Sequence, residues 1–217
     1  MNRRPAAPAP AEPTPVVFVV DDDEELRLAL DNLFRSVGLQ ARLFGSAAEF
    51  LKAGAGDAPG CLVLDIRLPG VSGLEFQGQL ARMGIELPIV FMTGHGDVPM
   101  SVRAMKAGAV DFLTKPFRDQ DMLDAVSSAI EADRQRRAAA EAGRDVRARF
   151  ESLSPREREV MTLVTRGLMN KQVAGELGLS EITVKLYRAQ AMRKMSADTL
   201  ADLVRMAEHL ALHASRG

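Results

Sequence analysis

Hydrophobic and polar positions follow one rhythm from Val16 to about residue 130 and another beyond it. In the first part, short apolar runs alternate with longer stretches whose apolar residues recur at helical spacing. The runs are VVFVV at 16–20, a weak one near Gln40–Leu43, CLVLD at 61–65, PIVFM at 88–92 and VDFL at 110–113. Between them lie segments such as EELRLALDNLFRSV, with the period of an amphipathic helix. Strands that are apolar on both faces belong to a parallel sheet covered by helices on both sides.

About five such strand–helix units predict a doubly wound, flavodoxin-like α/β domain with strand order 2-1-3-4-5. Residues 119–149 read as one long helix that becomes a linker, rich in Ala and Arg, with Gly143 as a point of interruption. A second domain opens at Ser154-Pro155-Arg156-Glu157. Ser at the N-cap, Pro at the first helical position and Glu at the third form a capping box. Further helices are predicted at about 170–177, 181–195 and 199–212, with Gly178 as a C-cap and Ser180 as the next N-cap. The expected organisation is a disordered Pro/Ala-rich tail at 1–15, an α/β domain at 16–130, a helical linker at 131–150 and a small four-helix, all-α domain at 151–217.

Charge sharpens this division. The whole chain carries a net −1, but residues 1–130 hold 12 Lys+Arg against 17 Asp+Glu, and residues 131–217 hold 16 against 12. An acidic front and a basic rear suggest two domains with different partners, the rear being the candidate for nucleic acid. At 47% hydrophobic residues the chain can fill a core without disulfides. Its single cysteine, Cys61, sits inside an apolar run and reads as a small buried hydrophobe. No apolar stretch is long enough to span a membrane and no apolar signal core opens the chain, so a cytoplasmic location is expected.

The candidate chemistry lies where the strands end. VVFVV runs directly into Asp21, Asp22 and Asp23, followed by Glu24 and Glu25. Asp65 follows the third strand, Thr93 the fourth, and Lys115-Pro116 the fifth. In a doubly wound sheet these positions converge on the carboxyl edge, where ligands bind. Clustered carboxylates are unfavourable without a cation, and a set of oxygen ligands suits Mg²⁺. A lysine and a hydroxyl beside them are the groups that hold a phosphoryl oxygen. Each acid also has a structural reading as the N-cap of the next helix, and Asp23 is placed as well for a cap as for a site.

Together, VVDDDEELR, LVLDIRLPGVSGLEF and VFMTGHGDVPMSVRAMKAGAVDFLTKPF resemble the receiver domain of two-component response regulators over residues 16–130. The resemblance implies that Asp65 accepts a phosphoryl group from a sensor histidine kinase. It implies Mg²⁺ held by Asp22, Asp65 and the Arg67 backbone carbonyl, with Asp21 acting through water. Thr93 and Lys115 would bind the phosphoryl oxygens, across a cis Lys115–Pro116 bond. Phe112 occupies the family's aromatic switch position, and it equally suits the sheet core.

In the rear domain, NKQVAGELGLSEITVKLYRAQAMRKM has a helix-turn-helix pattern. On its second helix Val184, Ala191 and Met195 share a face, with Tyr187 at its edge, and Lys185, Leu186, Ala189 and Arg193 lie opposite. A basic and apolar outward face suits a recognition helix in a major groove. Lys185, Leu186 and Ala189 form the groove-side candidates, and Thr183 is a further candidate for contact with DNA. Lys171, Arg188, Arg193 and Lys194 are the candidates for phosphates. Residues 153–207, LSPREREV through LVRMA, resemble the LuxR-type DNA-binding domain almost end to end, so the chain as a whole is similar to FixJ/NarL-type regulators, nearest the FixJ branch. Tyr187 departs from the histidine that the family often has there. The implied partners are a sensor kinase, double-stranded promoter DNA, RNA polymerase and a second copy after phosphorylation, in a bacterial cytoplasm without a membrane. Such a protein is a switch, not an enzyme beyond limited phosphotransfer and autodephosphorylation.

Two other classes compete. A haloacid-dehalogenase-type phosphatase also follows a strand with D-x-D, here Asp21-x-Asp23, but leaves Asp65 and the rear domain without a role. A receiver with a protein-interaction output domain would keep the phosphoryl chemistry and lose the DNA.

Overall fold

The computed structural model describes residues 13–94 and 98–212, so most of the tail expected at 1–15, residues 95–97 and the end of the rear domain at 213–217 lie outside the described residues. The chain divides into two compact units, one ending at Arg137 and one beginning at Ala138.

In the first unit the strands β1 (Val16–Val20), β2 (Gln40–Phe44) and β3 (Gly60–Asp65) precede a two-residue ribbon of β4 (Arg67–Leu68) and β5 (Val71–Ser72). Strands β6 (Ile89–Thr93) and β7 (Asp111–Thr114) follow. The main sheet is fully parallel in the order β2-β1-β3-β6-β7, which is the predicted 2-1-3-4-5 order with the ribbon counted. Alternation along each strand feeds two cores. Phe18, Val20, Leu62, Leu64 and Phe91 face one side, and Val17, Val19, Cys61, Val63, Val90 and Met92 face the other. Burial pushes the Cys61 thiol up to about 12, as expected of a packing residue. The last strand begins and ends one residue later than predicted. Val110 lies before it and packs on the second core.

Helices α1 (Glu24–Ser36), α2 (Ala47–Ala53), α3 (Gly73–Arg82) and α4 (Val98–Lys106) connect the strands. Asp23 caps α1, its carboxylate accepting from the Leu26 N–H at 3.1 Å. Ser72 and Glu75 close a capping box on α3. Gly73 is required at its start, because a Cβ there would lie 2.6 Å from the Asp65 carbonyl oxygen. The absent side chain lets α3 begin directly against the strand end that carries Asp65.

Helix α5 (Asp119–Glu151) is unbroken, and Gly143 does not interrupt it. A Cβ at Gly143 would lie 2.6 Å from His209 Nε2, so the glycine makes room for an imidazole instead of ending a helix. Early in α5, Met122, Val126 and Ile130 sit in the second core of the first unit; later, Val146 and Phe150 pack on the core of the second unit.

That second unit holds α6 (Pro155–Thr165), α7 (Asn170–Leu177), α8 (Glu181–Met195) and α9 (Leu200–His209). Ser154 and Glu157 form the predicted capping box. Gly178 adopts the left-handed conformation that ends α7, and Ser180 caps α8. The last helix stops at His209, three residues before the predicted end.

Candidate functional site

The register of the parallel sheet brings the first site together. Val20 pairs with Leu64, so Asp21 and Asp65 leave adjacent strands at the same level. Asp65 pairs with Met92, and Thr93 with Thr114, which places Thr93 and Lys115 at the same edge.

Lys115 Nζ donates to Asp21 Oδ2 and to Asp65 Oδ2, both at 2.6 Å. The other oxygens of these carboxylates accept backbone N–H groups, Asp21 Oδ1 from Asp23 at 2.9 Å and Asp65 Oδ1 from Arg67 at 2.8 Å. Asp21 and Thr93 are fully buried, Asp65 nearly so, and Asp22 is exposed. Burial raises the Asp21 pKa against the pull of Lys115. Burial would depress Lys115, but the hydrogen bonds it donates to the two carboxylates hold its pKa above the ordinary value. One oxygen from each of Asp21, Asp22 and Asp65 falls within 4.8 Å of the others. Three hard oxygen donors with one open, solvent-facing side fit a hydrated divalent cation such as Mg²⁺.

Arg67 enters this site through its N–H, and its side chain is exposed. Phe112 is half-buried and packs against the first of the two sheet cores. Asp23 is exposed, and its carboxylate caps α1. That leaves the D-x-D phosphatase reading without a second catalytic acid.

On α8, Val184, Ala191 and Met195 are buried, and Lys185, Leu186, Ala189 and Arg193 are exposed. Thr183 is tied into the helix cap, its Oγ1 lying 2.8 Å from Ser180 Oγ. Arg188 is half-buried, with Nη1 at 3.4 Å from Asn170 Oδ1, and Lys171 is exposed on α7. Lys194, expected to meet phosphate, has a partner within its own domain. Its ammonium donates to the buried Glu157 carboxylate at 2.7 Å, on the N-terminus of α6. A further residue escaped the sequence reading. Ile182 is 80% exposed and Leu186 55%, one turn apart on the outward face. The i, i+4, i+7 spacing of 182, 186 and 189 carries that signal.

Two family profiles match the chain. Residues 17–127 match the response regulator receiver domain, and residues 151–207 match the bacterial regulatory proteins of the luxR family. Nodulation protein W of Bradyrhizobium diazoefficiens is 60% identical over 200 residues, covering 92% of this chain and 88% of that protein. Response regulator protein TodT of Pseudomonas putida is 47% identical over 195 residues, covering 90% and 86%. Among solved structures, response regulator StyR superposes with a TM-score of 0.80 at 49% identity, covering 90% of this chain and 98% of that one. Full-length FixJ from B. japonicum gives 0.55 at 43% identity, covering 91% and 97%. With both profiles matched in order along one chain, this protein belongs to the response regulators that join a receiver domain to a LuxR-type DNA-binding domain.

Proposed function

We propose that Asp65 accepts a phosphoryl group from a phosphohistidine on a sensor histidine kinase, and that the phosphorylated protein dimerises and binds promoter DNA to regulate transcription. The observation that carries this reading is Lys115 Nζ, 2.6 Å from both Asp21 and Asp65 at the carboxyl edge of the sheet. In the transfer, a carboxylate oxygen of Asp65 forms a bond to phosphorus. The P–N bond of the phosphohistidine breaks, its electron pair staying on the imidazole. Asp21, Asp22, Asp65 and the Arg67 carbonyl are the residues that would hold Mg²⁺, which supplies charge neutralisation between the anionic acceptor and the anionic phosphoryl group. Lys115 shifts to a phosphoryl oxygen, and Thr93 takes another by its hydroxyl. Positioning and charge compensation are what phosphoryl transfer requires of a protein.

Thr93 moving toward the phosphoryl group, with Phe112 filling the space it leaves, would alter the surface over residues 98–118 and favour a homodimer. On DNA, Lys185, Leu186 and Ala189, with Thr183 at the helix start, face the groove, and Lys171, Arg188 and Arg193 meet phosphates. The bound dimer would act with RNA polymerase in the cytoplasm. No described helix is long and apolar enough to cross a membrane. Chemistry is confined to phosphotransfer and autodephosphorylation at one residue, so the protein works as a switch and not as a turnover enzyme. The test is incubation with acetyl phosphate and Mg²⁺ followed by intact mass. Stoichiometric labelling lost in Asp65→Asn is expected, and turnover without stable labelling would overturn the reading.

A further inference from the structure

Asp22 differs from its neighbours in how it is held. Asp21 and Asp65 have both carboxylate oxygens fixed by Lys115 and by backbone N–H groups. Asp22 is exposed, and among the described residues no hydrogen bond to its carboxylate is found. What the fold fixes of Asp22 is the backbone from which its side chain projects. The peptide that joins Asp21 to Asp22 is planar, so the Asp21 carbonyl and the Asp22 N and Cα move together. That carbonyl accepts a 2.6 Å hydrogen bond from Arg27 Nη1, on the first turn of α1.

The guanidinium lies close to a carboxylate. A Cβ at Gly45 would lie 3.7 Å from Arg27 Nη1 and 3.6 Å from Glu49 Oε1, so cation and carboxylate sit together over the end of β2. Glu49 is anchored in turn, its Oε2 accepting from the Gly45 N–H at 2.9 Å. The Asp21 N–H also reaches this end of the sheet, donating to the Phe44 carbonyl at 3.2 Å. The loop that bears the acids is thus strapped from both ends of Asp21.

We propose that Arg27 is a positioning residue for the cation cup: by pinning the Asp21–Asp22 peptide plane, it pre-orients the Asp22 carboxylate for the divalent cation. The inference rests on reading Asp21, Asp22 and Asp65 as that cup. Donation to a carbonyl suits the task, because it fixes geometry without using any of the carboxylate lone pairs that the cation needs. Partners of this kind behind a metal ligand typically change affinity by about 10–100-fold when removed.

The direction of the effect separates positioning from simple charge. Removing a cation beside an acidic cup should strengthen Mg²⁺ binding by Coulomb attraction alone. Losing the strap should weaken it. The experiment is Mg²⁺ titration calorimetry on the full chain, wild type against Arg27→Met, which keeps the apolar stem and loses the donors. Arg35→Met, on the same helix, is the control, with melting temperature recorded for each. A Kd raised about tenfold in Arg27→Met and unchanged in the control is expected. In acetyl phosphate labelling, the half-saturating Mg²⁺ concentration should rise by the same factor, with the rate at saturating Mg²⁺ kept within about twofold. An unchanged or tighter Kd in a folded Arg27→Met overturns the inference and leaves the cup standing. Failure of the wild type to bind Mg²⁺ overturns the cup and the inference together. If Arg27→Met does not fold, Arg27→Gln, whose amide is too short to reach the carbonyl, is read by the same criteria.

Discussion

Lys194 Nζ lies 2.7 Å from Glu157 Oε2, joining the last turn of α8 to the first turn of α6. The same Glu157 oxygen accepts the Ser154 N–H at 2.7 Å, so one buried carboxylate serves both the capping box and the ion pair. Burial alone would raise the Glu157 pKa, but Lys194 and Ser154 hold it below the ordinary carboxylate value. Lys194 is therefore a structural tie within the DNA-binding unit. Lys194→Met should cost roughly 1 kcal/mol, a modest figure because the lysine reaches solvent. It should leave the salt dependence of DNA binding unchanged. Thermal unfolding and duplex titration at several salt concentrations check both statements. A salt slope reduced by about one unit would return Lys194 to the phosphate-binding set.

Why this pair escaped the sequence, when the helices that carry it did not, is a matter of range. Val184, Ala191 and Met195 were legible as a buried face because helical periodicity is local. So were the β1, β3 and β6 runs, which are apolar on both faces, and the Ser154 cap. Strand β2 lies at the sheet edge with mixed burial, which is why only a weak signal marked it. The convergence of Asp21, Asp65, Thr93 and Lys115 was legible because one rule about parallel sheets sends all strand ends to one edge. No such rule relates Lys194 to Glu157, 37 residues earlier, or the Arg27 side chain to the Asp21 carbonyl. Those contacts depend on rotamers and helix packing. Gly143 misled for the opposite reason. Its local meaning, a helix breaker, was overridden by the imidazole of His209.

Asp133 is a second buried carboxylate whose role is structural. It accepts the Gly60 N–H at 3.0 Å, Arg136 Nη2 at 2.6 Å and Arg137 Nε at 2.6 Å. Burial would raise its pKa, but the two arginines and the Gly60 N–H together hold it below the ordinary 3.8. A carboxyl whose folded-state pKa is depressed stabilises the fold fully above its unfolded value and loses that contribution as pH falls through the folded value. Receiver stability should therefore fall below about pH 4 with an Asp133-dependent component. Asp133→Asn should cost about 2 kcal/mol at pH 7, less than an enclosed ion pair because both arginines reach solvent. It should also flatten the acid limb. Urea unfolding between pH 3 and 7 measures this, and parallel pH profiles for variant and wild type would refute it.

Phosphorylation is expected to dimerise the protein through the face that carries α4. Val102 and Met105 are 44% and 46% exposed there. Apolar side chains left in water on one helix are candidates for burial against a second copy. Val102→Glu should keep labelling by acetyl phosphate at wild-type yield and hold the labelled protein monomeric. Sedimentation at micromolar concentration, with and without acetyl phosphate, reads the outcome. Dimerisation of labelled Val102→Glu with wild-type affinity would move the interface elsewhere, with α9 next to be tested.

On the outward face of α8, reading is predicted to be separable from gripping. Lys185, Leu186 and Ala189 are exposed on it, as is Ile182 one turn earlier, and Lys171 is exposed on α7. Phosphate contacts position a protein without reading bases. Lys171→Ala should therefore weaken cognate and scrambled duplexes by similar factors and reduce the salt slope by about one unit. Lys185→Ala should cost about 1–3 kcal/mol more on the cognate duplex than on the scrambled one. Ile182→Ala tests the apolar part of the same face. A side chain that contacts a thymine methyl loses affinity only where that base is present, whereas one that covers sugar and backbone loses it everywhere. Titration of all three variants on cognate, single-substituted and scrambled duplexes assigns each residue. Equal losses on every duplex for Lys185→Ala and Ile182→Ala alike would mean that α8 grips without reading, and the base-reading role would then have to lie outside this helix.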